Sequence, residues 1–106
     1  MKEELPEHFK KFVDKYPKVW ESHQKLTIAC AECGPLDRKT RELLKVAISA
    51  SVNQETAVER HAVMAVQEGA AEEEVYHAIL QLTTIAGFPR TSAALKWAER
   101  ALTEKS

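Results

Sequence analysis

The stretch LDRKTRELLKVAISASVNQETAVERHAVMAVQEG, Leu36 to Gly69, decides the fold, because two helical patterns follow one another in it with almost no linker. Asp37 suits the N-cap of the first, since a short carboxylate accepts from amides that a first helical turn leaves unpaired, and Leu36 stands before it as an apolar staple. Leu43, Leu44, Val46, Ala47, Ile48, Ala50 and Val52 then cover most of the later circumference. That is the pattern of an element buried on several sides, and it predicts the centre of the fold. Asn53 is the next capping residue, and Gln54 to Glu68 reads as the following helix, closed by Gly69 in the C′ position.

On a wheel of about 100° per residue, Val58, Ala62 and Ala65 fall beside His61, with Gln54 and Ala57 on the same face one or two turns earlier. His61 is therefore expected to point inward. Glu55 and Glu59 fall toward solvent, so its partner is sought on the preceding helix, which packs antiparallel if the link at Asn53 is tight. Glu42 lies 11 residues before Asn53 and His61 lies 8 after it. At about 1.5 Å per residue the two differ in height by roughly 4 to 5 Å, within side-chain reach. A buried Glu and His at one level can relay a proton. Each also has a structural use: a histidine on an apolar face serves as a hydrogen-bonded core group, and a Glu near a helix start answers the dipole.

Working outward, Phe9, Phe12, Val13 and Tyr16 at helical spacing mark a short amphipathic opener over Leu5 to Tyr16, with Pro6 and Pro17 each able to start a helix. A second helix runs from Pro17 to Cys33, its stripe formed by Val19, His23, Leu26, Cys30 and Cys33, with Gly34-Pro35 as C-cap glycine and breaker. Glu72, Glu73 and Glu74 open a fifth helix, where the dipole favours negative charge. Val75, Ala78, Ile79, Leu82, Ile85 and Ala86 are its expected buried side, and Gly87-Phe88-Pro89 ends it. A last helix carries Ala94, Trp97, Ala98, Ala101 and Leu102 on one face, with Thr103 to Ser106 expected to fray. No β-alternation competes, so the expected class is all-α, five or six helices in a single domain over residues 1–106.

Composition narrows the function. Of 106 residues, 44% are hydrophobic and 29% charged, ordinary globular values, and a chain this short buries only about two-thirds of its unfolded surface. A net charge of −1, from 15 basic and 16 acidic residues interleaved along the chain, leaves no electrostatic footprint for nucleic acid. Met1-Lys2-Glu3-Glu4 leads into no apolar signal region, and the low-polarity run Val46 to Val52 is far short of the roughly 20 residues a membrane span needs. Two cysteines do not make a secreted disulfide framework, so a reducing cytoplasm is expected, with no nucleic-acid and no membrane partner.

LDRKTRELLKVAIS, HAVMAVQEGAAEEEVYHAIL and IAGFPRTSAALKWAERAL, together covering roughly Leu36 to Leu102, resemble the carboxymuconolactone decarboxylase family, which includes alkyl hydroperoxidase D-like proteins. The resemblance implies an all-helical bundle with a central antiparallel helix pair, assembled as a homo-oligomer, trimer or hexamer. Peroxidase-type members carry Glu-x11-Cys-x2-Cys-x3-His, with the cysteine pair as redox centre and Glu and His passing protons. Glu42 and His61 match the outer positions, while Gln54 and Ala57 stand where the cysteines belong. Neither an amide nor a methyl group can attack a peroxide or form a disulfide. The decarboxylase branch shows an acidic residue near the second cysteine position and an Ala-Gly-Phe-Pro segment; Ala86 to Pro89 match the latter, but Ala57 lacks the acid.

What the resemblance leaves is a small-molecule site with His61 as acid/base, Glu42 behind it, and Gln54 and Ala57 as substrate-binding positions, Gln54 offering a neutral group to a carboxylate or carbonyl. No cofactor is expected. The substrate class is a small organic acid, lactone or hydroperoxide; the competing reading is a non-catalytic ligand-binding or assembly module, with Trp20 or Trp97 as possible interface anchors. Cys30-Ala31-Glu32-Cys33 is itself a Cys-x-x-Cys. It is either a pair of small apolar core or interface groups or a displaced redox pair, the latter implying thiol peroxidase or oxidoreductase chemistry. His8, His23 and His77 add no recognisable metal motif.

Overall fold

The computed structural model describes residues 7–105, and among these the protein is all-α: six helices of nine residues or more and one four-residue helical turn. They are α1 (Glu7–Lys15), α2 (Pro17–Glu32), α3 (Arg38–Ser51), α4 (Glu55–Gln67), α5 (Glu72–Leu80), α6 (Thr83–Ala86) and α7 (Phe88–Lys105). The described residues form two compact units that divide after Pro35. Leu5, Pro6 and the four residues before them, with the readings made on them, lie outside the described residues, as does Ser106.

The first unit consists of α1 and α2. Pro17 occupies the first turn of α2, where its missing amide costs no hydrogen bond, and Tyr16 joins the helices by donating to Phe12 O (2.8 Å) and accepting from Trp20 N (3.0 Å). Trp20 packs among Phe9 (6.1 Å between ring centroids), Phe12 (6.4 Å) and His23 (5.5 Å). Neither helix fully buries a residue. Cys33 is the C-cap of α2 at φ −83° and ψ 0°, and Gly34 lies outside the left-handed region, so the expected glycine cap is not used.

In the second unit, α3 and α4 form the expected hairpin. Asp37 caps α3, its Oδ1 accepting from Thr40 N at 2.8 Å. Asn53 closes α3 instead of opening α4: it sits at φ +63°, a conformation asparagine tolerates, and Gln54 is the N-cap of α4. Gly69 follows α4 at φ +103°, as expected of a C′ glycine.

The core joins Val46 and Ala50 of α3, Val58, Ala62 and Ala65 of α4, Val75 and Ile79 of α5, and Ala94, Ala98 and Leu102 of α7. Alanines at the contact let helices approach to the short end of the usual 8–10 Å separation. Trp97 packs half-buried against this cluster. Glu74 accepts from its own cap amide at Ala71 (2.9 Å) and from Lys39 (3.2 Å), tying α5 to α3. Arg100 of α7 reaches Glu55 (2.6 Å) and Glu59 on α4.

Three further expectations are corrected. The α3 helix is not buried on several sides: Leu44, Ile48 and Val52 are 45%, 61% and 57% exposed, because the unit packs one face of the helix and leaves the opposite apolar stripe open. The fifth helix stops at Leu80, and Gln81 and Leu82 make short bonds three residues back before α6 begins. The break buries Leu82 but turns Ile85 outward, 87% exposed. The end of α7 does not unravel at Thr103; it stays helical through Lys105. At the intervening corner Thr91, 1% exposed, bonds Gly87 O (3.1 Å) and the Thr83 hydroxyl (3.1 Å), holding the Ala-Gly-Phe-Pro turn.

Candidate functional site

Glu42 lies on the face of α3 turned to α4 and is 6% exposed, although nothing in its own side chain favours burial. His61, half-buried on α4, explains its position: the imidazole Nδ1 lies 2.7 Å from Glu42 Oε1. The tight turn at Asn53 sets both residues at one level, as their distances from that turn predict.

Burial pushes the Glu42 carboxyl up, but the hydrogen bond with His61, the charge of that ring, and the charges of Lys45 and Arg60 outweigh it, holding the group below its usual 4.5. Glu42 is thus a carboxylate, which only accepts hydrogen bonds, so Nδ1 of His61 carries the shared proton. The other ring nitrogen, Nε2, takes no part in the contact with Glu42. Lys45 approaches the second carboxylate oxygen at 3.8 Å.

Reading the sequence missed Lys45 and Arg60 as parts of this environment. Lys45 had a signal, since Glu and Lys three apart on a helix are neighbours. Arg60 had none, because its influence on Glu42 depends on how α4 is rotated against α3.

The remaining candidates are placed less tightly. Gln54 is exposed at the start of α4; its backbone donates to Ser49 O (3.0 Å) and accepts from Val58 N (3.0 Å), and its side chain makes no capping bond. Ala57 is half-buried one turn before His61. Cys30 and Cys33 belong to the other compact unit, and both are free and exposed, so the alternative of small core groups does not hold within this chain. Among the described residues no three His, Cys, Asp or Glu side chains converge to hold a metal ion, and no helix is long and apolar enough to cross a membrane.

Comparison with known proteins places this arrangement in a family. An uncharacterised protein of Haemophilus influenzae is 40% identical over 47 residues, which is 44% of this chain and 42% of that one. The matched part thus spans less than half of that relative's length. The model of the carboxymuconolactone decarboxylase family matches residues 14–100, a span that includes α2 through the ion-paired Arg100 and the whole Glu42–His61 contact. By that match the chain belongs to the carboxymuconolactone decarboxylase family.

Proposed function

We propose that Glu42 and His61 form an acid–base dyad acting on a small organic acid, lactone or hydroperoxide. One observation carries the reading: a nearly buried carboxylate lies 2.7 Å from Nδ1 of a half-buried imidazole. Glu42 fixes the ring and its tautomer, and His61 Nε2 accepts a proton from the bound molecule or returns one to it. Gln54 supplies a neutral amide to a carboxylate or carbonyl, and Ala57 adds bulk without chemistry. Proton transfer of this kind needs no cofactor.

Positioned acid–base groups typically contribute 10²- to 10⁴-fold in rate. In a screen of small organic acids, lactones and hydroperoxides, His61→Ala is therefore expected to lose about 100-fold or more of any turnover. It should still fold, with a lowered unfolding midpoint because Glu42 loses the partner of its buried carboxylate, and turnover is compared below that midpoint. Turnover equal to the parent's would remove His61 from the mechanism.

A second reading is favoured by a specific feature: no reacting group stands at 54 or 57. In that reading the chain binds a small molecule or assembles without catalysis. Selective thermal stabilisation by one acid or lactone, with no turnover of it, would support this reading. In either case the protein acts as a homo-oligomer, a trimer or hexamer, in the reducing cytoplasm. The exposed stripe of Leu44, Ile48 and Val52 supports assembly, and light scattering tests it.

A further inference from the structure

The acid–base dyad leaves Cys30 and Cys33 unused. Both thiols are free and exposed at the end of α2. Three residues of α-helix set two Cα atoms about 5 Å apart, inside the separation a disulfide bridges. A regular turn still resists closure, because its Cβ atoms stand about 5–6 Å apart and a disulfide needs about 3.8 Å. Cys33 is not in a regular turn. It is the C-cap, at φ −83° and ψ 0°, and it is exposed, so no packed side chain holds it against movement. Its thiol already folds back over the last turn, donating to the carbonyl of Cys30 at 3.5 Å.

We propose that Cys30 and Cys33 form a reversible dithiol–disulfide site that reacts by exchange with low-molecular-weight disulfides. One cysteine thiolate attacks a sulfur of the small disulfide, forming a mixed disulfide and expelling one small thiolate. The second cysteine thiolate attacks the protein sulfur of that mixed disulfide, closing the Cys30–Cys33 bond and expelling the other small thiolate. The protein loses two electrons and two thiol protons, and the small disulfide gains both pairs as two thiols. Closure must pull the cap residue inward from its relaxed position, and strained, exposed disulfides are the readily reduced ones. The site therefore opens again with excess small thiol.

The probe is a series of oxidised-to-reduced glutathione ratios applied to the full chain, followed by acid quench, alkylation of remaining thiols and intact mass measurement. The expected product is a monomeric chain that has lost both alkylatable thiols and two hydrogens, restored by excess reduced glutathione. Cys30→Ser and Cys33→Ser are each expected to stop at a mixed disulfide carrying one glutathione. Three outcomes would overturn the proposal: the parent chain stopping at mixed disulfides, closure only between chains as a covalent dimer, or a closed form that excess reduced glutathione does not open.

Discussion

Ile79 on α5 and Ile28 on α2 are the same side chain in opposite situations, the first fully buried and the second 54% exposed. The contrast extends to their units. Every buried hydrophobic residue among those described lies after Pro35, while α1 and α2 bury none and expose Phe12, Tyr16, Val19, Leu26 and Ile28. An apolar stripe on a helix states that something covers it; it does not state what. In the second unit the cover is other helices of the same unit, with α4 and α7 meeting through alanines. On α2, and on the Leu44, Ile48 and Val52 stripe of α3, the stripe is as clear and stands open.

The strongest way to sharpen this contrast is Ile79→Ala. Emptying a fully buried site is expected to cost about 2–5 kcal/mol, read by urea unfolding. Glu42→Gln comes next, at about 1.5–3 kcal/mol, since it removes the charge from a buried hydrogen bond while keeping the side-chain size. Its pH dependence follows from the lowered carboxyl. The unfolded chain takes up the Glu42 proton near the usual 4.5, and the folded chain does so only at lower pH. The stabilisation is therefore present above about 4.5 and lost as pH falls through the folded value, a loss that Glu42→Gln should lack.

Trp20→Ala in the first unit is expected to cost about 0.5–1.5 kcal/mol, the scale of its ring pairs with Phe9 and Phe12, with near-UV circular dichroism as the local readout. Leu26→Ser, on a side chain 61% exposed, is expected to change stability by less than about 0.5 kcal/mol. A loss for Leu26→Ser as large as that for Ile79→Ala would break the contrast, because it would show the α2 face to be covered in the assembled protein.

Much of the fold was legible because its signals are local. Asp37, Pro17, Gly69 and the acidic start of α5 act through backbone groups within a few residues of themselves, so type and position suffice to read them. The pairing of Glu42 with His61 was legible for a related reason. A short link between two helices of known rise leaves little freedom in their relative height, and the two residues count to the same level.

Other features were not local. Asn53 carries the same capping chemistry at either end of a helix, and only the backbone turn at φ +63° assigned it to the end of α3. The break at Gln81 depends on Leu82 finding a buried place, and the inward face of α3 on which residues α4 and α5 cover. Arg60 joins the surroundings of Glu42 through the rotation of α4 against α3, which periodicity does not specify. The sequence by itself thus determined the helices, most of their caps and the contact between Glu42 and His61, since backbone hydrogen bonding and helical rise act over short distances. Tertiary structure alone decided which apolar stripes are covered, that Arg60 joins Lys45 near the buried carboxylate and where the thiols stand, since each depends on the packing of residues distant in the chain.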